Sequence, residues 1–438
     1  MNKKFVILGA GPTGLGAAVR LKELGYKNFL ILEKENFIGG LSASFRDSHG
    51  FTWDTGGHVI HSHFSYFNEV LKKNLKKERY SHRRESWIWS HDRLIPYPFQ
   101  NNIHLLPLPV FIECFLGLLK QKNTPRPRNF LDLINKSFGE GIAKYFMVPY
   151  NEKMWQFPPS KMSTNWLGER VSTIKIGEVL KNAFSRKRHS DWGLNSRFTY
   201  PSRGTGQLWE NIARQIDSGH IRLKSRVKKI DTGKKMIYLE NAPSIGFDFL
   251  VSSTPLDQLI LGLDQKPNWL EKETEKLAHN SVFFLGVGIK KKLKNKKCWI
   301  YFPQKEVPFY RLTYLSNYSP HMTPGPEFYS ILTETTVERE INSQKIIEGL
   351  LKTKMVENKE KIVDIWTKKA EYAYPIPTLE RDSVLKKIQP YLESQLIFSR
   401  GRFGAWKYEI GNMDHSFMQG VEIIDRILFD KKETVWIL

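Results

Sequence analysis

Cysteine is scarce in this chain, which excludes a disulfide-stapled fold and a cysteine-rich metal site. Only two of the 438 residues, Cys114 and Cys298, are cysteines, and they stand in unrelated contexts. Long apolar runs are missing as well, because no stretch reaches the ~18–20 residues of a membrane span. The most apolar segment, Leu105 to Leu119, contains two prolines and a glutamate and is predicted to be a buried helix. We therefore expect a cytoplasmic protein without a transmembrane segment.

Acidic residues are few relative to basic ones. The chain has 67 Lys and Arg against 45 Asp and Glu, a formal net charge of +22, and such a surplus suits anionic partners. The basic runs are scattered, so we interpret them as solvated surface and expect no nucleic acid partner. The sequence also lacks a Ser-His-Asp order, a His or Cys cluster and a paired carboxylate motif. Neither a hydrolytic triad nor a metal site is predicted.

What the chain does contain is a complete nucleotide-binding pattern at its start. An apolar strand from Phe5 runs into a Gly-x-Gly-x-x-Gly turn formed by Gly9, Gly11 and Gly14. A helical pattern and a second apolar strand follow, and that strand closes on Glu33. The glycines allow a tight turn, close approach of the backbone to a pyrophosphate and close helix packing, while Glu33 is placed to bind a ribose hydroxyl. This pattern predicts a Rossmann-like dinucleotide site.

Two glycine pairs further on indicate which dinucleotide is bound. Gly39, Gly40 and Leu41 follow the ribose acid, and Gly56, Gly57 and His58 follow a short strand pattern. Glycine pairs at these places are typical of FAD proteins, in which the backbone lies against an extended cofactor. The alternative is two flexible turns in an ordinary Rossmann protein. We predict non-covalent FAD.

The remaining pattern predicts an α/β protein whose Rossmann-like FAD-binding domain is interrupted by a helical insertion and an antiparallel β-sheet insertion. Strand patterns occur at 281–289, 298–302, 309–316 and 327–334, and Trp87 to Ser90 is interpreted as an edge strand. The predicted segments are 1–85, 203–262 and 396–438 for the FAD-binding domain, 101–192 for the helical insertion, and 86–100, 193–202 and 263–395 for the substrate-binding sheet.

Several segments mix Arg, Tyr, Asn, Gln and Trp without the periodicity of a core. They include Tyr97–Asn102, Pro149–Trp155, Trp166–Arg170, Asp191–Asn195, Cys298–Pro303, Phe309–Arg311, Tyr374–Thr378 and Arg400–Ser416. Each segment alone is compatible with a structural role. Together, rings that stack on a base and forked cations that bind a pyrophosphate make the chemistry of a nucleotide-sugar site that needs no metal.

The chain resembles the UDP-galactopyranose mutases from end to end and in colinear order, and the eukaryotic type more than the bacterial one. The matching segments are Gly56–His63, Tyr97–Asn102, Pro149–Trp155, Trp166–Val171, Cys298–Arg311, Ser316–Pro320, Tyr374–Arg381 and Ser399–Gly420. The resemblance implies interconversion of UDP-galactopyranose and UDP-galactofuranose without net redox change, as part of galactofuranose biosynthesis. Reduced FAD is implied as the nucleophile, forming an adduct between its N5 and the sugar, with NADPH or NADH as reductant. The alternatives are a mutase acting on another NDP-sugar and an FAD-dependent oxidoreductase of the amine-oxidase superfamily.

The resemblance also implies roles for individual residues. The implied catalytic residues are His58, Arg170 and Arg311. The implied cofactor-binding residues are Gly9, Gly11, Gly14, Glu33, Gly40, Leu41, Gly57, His58, Val227, Gly411, Asn412 and Ser416. The implied substrate-binding residues are Tyr97, Gln100, Asn151, Trp155, Arg170, Asn195, Tyr301, Arg311, Tyr374, Tyr408 and Asn412. The residues implied for nicotinamide docking are Arg84, Ser86 and Arg402.

The chain departs from the family pattern at three places. His61 stands where the eukaryotic pattern has Phe, the loop from Pro201 to Gly206 has one glycine fewer, and the long eukaryotic insertions are missing. We expect His61, if it faces the site, to titrate between about pH 5.5 and 7.5 and to influence the choice of sugar or base. The missing insertions leave the quaternary state open, with a homo-oligomer as one alternative.

Overall fold

The computed structural model describes residues 3–120, 126–167, 196–337 and 341–438. Within these ranges the helices are α1 (Pro12–Glu23), α2 (Ser65–Leu75), α3 (Leu108–Leu119), α4 (Phe130–Ile142), α5 (Val148–Trp155), α6 (Gly206–Gln215), α7 (Leu256–Leu261), α8 (Asn268–Thr274), α9 (Ser343–Lys352), α10 (Arg381–Ser394) and α11 (Met413–Phe429).

The strands of the same ranges are β1 (Phe5–Leu8), β2 (Phe29–Leu32), β3 (Ser44–Arg46), β4 (Thr52–Asp54), β5 (Arg79–Arg83), β6 (Ser86–Ser90), β7 (Arg93–Pro96), β8 (Arg197–Pro201), β9 (Ile221–Arg222), β10 (Val227–Asp231), β11 (Met236–Leu239), β12 (Ile245–Gly246), β13 (Phe249–Ser252), β14 (His279–Ile289), β15 (Trp299–Tyr301), β16 (Arg311–Tyr314), β17 (Tyr329–Val337), β18 (Ile362–Pro375) and β19 (Ile397–Ser399).

A parallel five-stranded sheet in the order β19-β13-β1-β2-β9 forms the first layer. Its central strand β1 is apolar and buried throughout, as expected of a strand covered on both faces. β1 pairs in parallel with β2 on one side and with β13 on the other, so that Phe5 lies opposite both Phe29 and Phe249. Segments from three distant parts of the chain therefore build one sheet, as the interrupted α/β domain requires.

Helices α1 and α11 cross closely on one face of this sheet, and glycine makes the crossing possible. A Cβ atom on Gly16 would lie 2.2 Å from the carbonyl oxygen of Phe417, and one on Gly420 would lie 2.0 Å from that of Thr13. Any side chain at either position would push the two backbones apart. The N-terminal helix is thus held against the last helix of the chain.

The second layer is a seven-stranded sheet in the order β18-β14-β17-β16-β15-β6-β7. All its neighbours are antiparallel except the parallel pair β15 and β6. The predicted strands from 281 to 334 are confirmed here. The interpretation of Trp87 to Ser90 as an edge strand is wrong, because β7 pairs with β6 on its outer side. The long strand β18, which the sequence analysis did not predict, forms the other edge.

A helical layer built from α3, α4 and α5 lies in the predicted helical insertion. Gly117, Gly139 and Gly141 let α3 and α4 approach so closely that a Cβ on Gly139 would lie 2.3 Å from the carbonyl oxygen of Gly117. Pro149 lies in the first turn of α5, where proline is tolerated. A short π-helical segment, Ala143–Met147, joins α4 to α5.

The expectation that α3 is buried is only half right. It buries Val110, Cys114 and Leu118 but exposes Leu108 and Leu119, among others. Within the described ranges no helix combines the length and apolarity needed to cross a bilayer. Residues 221–230 are divided between β9 in the parallel sheet and β10 in a small antiparallel sheet.

Candidate active site

The turn between β1 and α1 is built to receive a phosphate. Gly9 has a φ of +100°, and its N–H donates to the carbonyl of Leu32 at 2.8 Å. No side chain caps the N-terminus of α1, which begins at Gly11 and Pro12, so the positive end of the helix faces the turn. A Cβ on Gly14 would lie 1.9 Å from the carbonyl oxygen of Gly9, whereas one on Gly11 would meet nothing nearer than 4.0 Å. Gly14 serves packing, and Gly11 leaves open space for a ligand.

Glu33 and the glycine pair after it close this turn from the other side. The Glu33 carboxylate accepts the N–H of Ala10 at 2.8 Å and that of Glu35 at 2.9 Å, which fixes it at the end of β2 with lone pairs to spare. The N–H of Gly39 donates to the carbonyl of Ala10 at 3.0 Å. Gly40, with a φ of +55°, would bring a Cβ within 3.5 Å of the Gly11 Cα atom. This backbone cradle fits the adenosine diphosphate part of FAD.

The other residues predicted to bind the cofactor lie on later elements. Leu41 is half-buried between two apolar clusters, and Val227 is half-buried at the start of β10. The carbonyl of Gly411 accepts from Arg402 at 3.0 Å, and the N–H of Ser416 donates to the carbonyl of Asn412, just before α11, at 2.8 Å.

A buried ion pair connects the cofactor side of the site to the seven-stranded sheet. Arg311 on β16 and Glu334 on β17 are cross-strand partners. Nε and Nη2 of Arg311 each donate to one Glu334 oxygen at 2.6 Å. Glu334 also accepts from the Tyr310 hydroxyl at 2.8 Å and from the N–H of Gly57 at 3.1 Å. The loop at Gly57 is therefore bonded directly to the carboxylate that holds Arg311.

The environment of Glu334 sets its ionisation. Burial by itself raises the pKa of this carboxyl, but the charge of Arg311 and the hydrogen bonds from Arg311, Tyr310 and Gly57 outweigh burial and hold the pKa below its ordinary value. Glu334 is therefore ionised near neutral pH. Its negative charge compensates the buried guanidinium.

Aromatic rings lie beside this pair in two groups. The centroids of neighbouring rings in each group lie 5.0 to 6.4 Å apart. The first group is Tyr97, Tyr150, Tyr301 and Tyr310, and the second is Trp155, Trp166, Tyr374 and Tyr408. The hydroxyls of Tyr310 and Tyr374, 3.4 Å apart, join them. Burial raises the pKa of Tyr97, Tyr150, Tyr310 and Tyr374, so these phenols stay protonated donors.

Two predicted substrate residues are joined to each other on α5. The side chain of Asn151 donates to the carbonyl of Met147 at 2.7 Å and accepts from Trp155 Nε1 at 3.2 Å. The amide of Asn151 thereby fixes the indole of Trp155 against Tyr374 and Tyr408. Gln100, the third residue predicted on this side, is buried in the helical turn after β7.

The residues predicted for nicotinamide docking border the same aromatic lining. Arg84 lies 4.7 Å from the ring centroid of Trp299 and 5.9 Å from that of Tyr97. Arg402 lies 4.9 Å from the ring centroid of Tyr374 and donates to the carbonyl of Ala373 at 3.0 Å. The Ser86 hydroxyl is buried on β6 without a hydrogen-bond partner among the described residues.

His58 lies in the loop after β4, next to Gly57, whose N–H donates to Glu334. Burial is the main cause that lowers the pKa of its imidazole to about 4, and Arg402 and Arg311 add to the effect against the opposing charge of Glu334. Nδ1 of His58 is buried and has no hydrogen-bond partner among the described residues. His58 is therefore a neutral ring at physiological pH, and an acid–base role through a charged imidazole is disfavoured.

The expectation that His61 titrates near neutrality is wrong. Burial, followed by the charge of Arg84, lowers the pKa of His61 to about 4. Its ring contacts the edge of Phe198, with centroids 6.0 Å apart. His61 is uncharged throughout the range from pH 5.5 to 7.5.

Two predicted site residues, Arg170 and Asn195, lie outside the described residues. Conversely, the sequence analysis assigned no role to Glu334, Tyr150 or Trp166. Glu334 could have been recognised in the sequence, because an acid within the apolar strand pattern of 327–334 indicates a buried partner for its charge. No feature of the sequence distinguishes Tyr150 and Trp166 from the other residues of the aromatic segments that contain them.

Known proteins resemble this chain over most of its length. The family described as flavin containing amine oxidoreductase matches residues 12–328. A crystal structure of reduced UDP-galactopyranose mutase superposes with a TM-score of 0.95, at 39% identity over 99% of this chain and 96% of that one. The fatty acid isomerase of P. acnes that produces CLA shares the fold, with a TM-score of 0.66 at 14% identity over 97% of this chain and 99% of that one.

Curated relatives are more distant. The 15-cis-phytoene desaturase of Capsicum annuum is 23% identical over 319 residues, which cover 67% of this chain and 53% of the desaturase. The chain thus spans about half the length of that relative. The predicted flavoprotein fold and its flavin cofactor are confirmed by the family match together with the mutase structure. The chain belongs to the flavin containing amine oxidoreductase family and, within it, to the UDP-galactopyranose mutases.

Proposed function

We propose that this protein interconverts UDP-galactopyranose and UDP-galactofuranose without net redox change, as a mutase of the eukaryotic type. One observation carries the proposal: the buried pair of Arg311 and Glu334 joins the Gly57 loop of the cofactor side to a lining of protonated tyrosines. A cation and phenol donors gathered there suit a nucleotide diphosphate, because each of its oxygens accepts hydrogen bonds.

Gly9, Gly11, Glu33 and Gly40 would hold FAD, which when bound and reduced would supply a nucleophilic nitrogen for covalent catalysis at the sugar. The protein must therefore hold the sugar against the flavin and retain UDP while the sugar is detached. We assign retention of the diphosphate to Arg311, Tyr374 and Tyr408, with Arg170 as the second clamp residue. Because Nε and Nη2 of Arg311 face Glu334, the diphosphate would contact this side chain through Nη1.

The uridine would lie among the aromatic side chains of the helical layer. Trp155, fixed by Asn151 and fully buried, would support the aromatic rings around the uridine, and Tyr97 and Gln100 would close the far side. Tyr301 and Asn412 flank the diphosphate, and we assign the sugar to Asn195. The neutral His58 positions the loop between flavin and sugar.

We further propose that NADPH or NADH reduces the flavin through a docking place that overlaps the substrate site. Arg84 and Arg402, the two cations assigned to docking, contact Tyr97 and Tyr374, which are assigned to the substrate. The reductant would then have to leave before the nucleotide sugar binds. We expect UDP to inhibit flavin reduction competitively with NADPH.

The central test uses the purified, flavin-loaded protein. Dithionite-reduced enzyme is incubated anaerobically with UDP-galactofuranose, and the nucleotide sugars are separated by chromatography. We expect UDP-galactopyranose from the reduced enzyme, none from the oxidised enzyme, strong loss in Arg311→Ala, and full activity in Arg93→Ala, which removes an exposed arginine of β7. If the reduced, fully loaded enzyme leaves UDP-galactofuranose unchanged, the proposed substrate is wrong.

A second measurement separates the mutase from an oxidoreductase. NAD(P)H oxidised per product formed is counted under anaerobic conditions. A mutase needs the reductant only to start, so the ratio should fall far below one as turnover proceeds. A constant one-to-one ratio would establish an oxidoreductase instead.

The state of the two cysteines bears on the cellular location. Both cysteines, Cys114 and Cys298, are free and buried, and burial raises the pKa of each thiol, to about 12 and about 11. Unpaired thiols are ordinary in a reducing compartment. We propose a cytoplasmic enzyme, testable by fractionation of the source cells.

A further inference from the structure

A cluster of metal-ligating side chains lies outside the site described above. Asp47 and His49 stand in the turn between β3 and β4, and Asp364 stands on the edge strand β18. One ligand atom from each of the three residues lies within 4.8 Å of the other two. The cluster therefore joins the β3–β4 hairpin of the cofactor side to the edge of the seven-stranded sheet.

Hydrogen bonds fix the Asp47 carboxylate before any ligand is present. One oxygen accepts the N–H groups of His49 and Phe51, each at 2.9 Å. The other accepts from Trp53 Nε1 at 2.6 Å. Since a carboxylate oxygen has two lone pairs, the oxygen facing Trp53 keeps one for another ligand.

Asp364 provides the observation that points to a cation. Its side chain is only 8% exposed, and Oδ1 meets His49 Nδ1 at 2.9 Å. Oδ2 is buried and accepts no hydrogen bond from an N–H or hydroxyl group of the described residues, while the carboxyl groups of Asp364 and Asp47 lie in direct contact. Leaving a buried carboxylate oxygen without a donor is costly, and the neighbouring Asp47 carboxylate adds a like charge. A bound cation would satisfy Oδ2 and offset the repulsion between the two carboxylates.

The backbone makes room for this arrangement. Asp364 lies opposite Gly288 of β14. A Cβ on Gly288 would come within 3.0 Å of the Asp364 Cβ atom and within 2.6 Å of the Phe51 ring. Glycine at this position thus allows Asp364 and the hairpin turn to share one face of the sheet.

We propose that Asp47, His49 and Asp364 bind one divalent transition-metal ion, with Zn²⁺ as the ion that fits best, and that this ion fastens the β3–β4 hairpin to β18. An imidazole nitrogen with two carboxylate oxygens suits Zn²⁺ and disfavours Mg²⁺, which prefers oxygen ligands alone. Coordination bonds of ~2.0–2.2 Å require the three ligand atoms to close to roughly 3.3–3.5 Å from one another. His49 is 64% exposed, so its ring can move inward and water can complete the coordination.

The test uses full-length, FAD-loaded protein freed of metal with a chelator. ZnCl₂ is titrated by calorimetry, and thermal unfolding is recorded with and without Zn²⁺. We expect one equivalent of Zn²⁺ per chain and a rise in apparent Tm of about 3–5 °C at a hundredfold excess over Kd. Mg²⁺ at the same concentrations should give no shift.

Variants decide whether the ion lies in this cluster. Asp364→Asn and His49→Gln should each weaken Zn²⁺ binding at least tenfold, while His91→Ala, which removes an exposed histidine elsewhere, should bind as the parent does. Retained FAD content shows that each variant is folded, and His49→Gln, on the surface, secures the test if Asp364→Asn does not fold. Absence of stoichiometric Zn²⁺ binding, or equal affinity in the parent and His49→Gln, would overturn the proposal.

Discussion

The pair of Arg311 and Glu334 allows a quantitative prediction from a double-mutant cycle. Replacing Arg311 by Met removes the cation and leaves Glu334, whose side chain is 1% exposed, as a buried charge. Breaking a buried pair in this way costs about 3–5 kcal/mol. Glu334 keeps its donors Tyr310 and Gly57, so we expect the lower part of this range, about 3 kcal/mol, for Arg311→Met.

The second arm of the cycle removes the acid. Glu334→Gln leaves the Arg311 guanidinium, 20% exposed, with one amide oxygen in place of two carboxylate oxygens, and we expect a loss of about 2–3 kcal/mol. The double variant carries neither charge and should lose only about 2 kcal/mol in total. The resulting coupling, about 3–4 kcal/mol, exceeds what an exposed pair gives.

The pH dependence supplies an independent check. In the parent the pKa of Glu334 is lowered, so its stabilising contribution is present above the unfolded pKa of ~4.3 and is lost as pH falls through the lower folded value. In Arg311→Met burial remains without the opposing charge, so the folded pKa rises above the unfolded one. Stability of that variant should then decline as pH rises from about 5 to 8, relative to the parent.

The assay is urea unfolding of the flavin-loaded proteins at pH 5, 6.5 and 8. Flavin and tryptophan fluorescence are followed together, so that a common transition can be verified. Additive losses in the double variant, or a difference between the parent and Arg311→Met that does not change with pH, would refute the idea that the two charges act as one buried unit.

Three further predictions concern the glycine turn after β1, Arg311 and His61. Gly11→Ala should fold but lose FAD, because its Cβ enters the space that the ligand needs, whereas Gly14→Ala should destabilise the fold itself, since its Cβ would lie 1.9 Å from a carbonyl oxygen. Flavin content and Tm of the two variants, measured side by side, distinguish these effects. Equal flavin content in both variants would contradict the assignment. Arg311→Ala should weaken UDP binding roughly tenfold to a hundredfold, the equivalent of ~1.5–3 kcal/mol, and calorimetry showing parental affinity would remove Arg311 from the clamp. His61→Phe should leave the pH profile of turnover between pH 5.5 and 7.5 unchanged, because the pKa of His61 is lowered to about 4; a profile that differs in this range would mean that the imidazole titrates there.

The nucleotide fold was predictable because its signals are local. The turn from Gly9 to Gly14 and the acid Glu33 lie within one βαβ unit, where spacing alone fixes their relation. The strands at 281–334 were predictable for a similar reason, since they are apolar and aromatic. Strand β18 was not, because the apolar Val363 and Ile365 are exposed while Asp364 is partly buried, so apolar residues do not mark one face of the strand.

The pairing of Arg311 with Glu334 could not be predicted from the sequence, because it depends on the register of two strands. Arg311 and Glu334 both fall in predicted strands, but only the pairing of β16 with β17 places them opposite one another. Shifting that register by one residue would turn either side chain to the other face. The sequence analysis therefore identified the cation and missed the acid that orients it. The forked contact that was expected for the diphosphate is instead made to Glu334.

The close crossing of α1 and α11 has a consequence for how the chain is made. The first helix cannot complete its packing until a segment some 400 residues later, around Phe417 and Gly420, has been synthesised. The central strand β1 likewise waits for β13 and, beyond it, β19. During synthesis the emerging N-terminal half would expose the apolar residues of β1 and α1, a state prone to aggregation. The protein should accordingly depend on chaperones and acquire its flavin only after release from the ribosome.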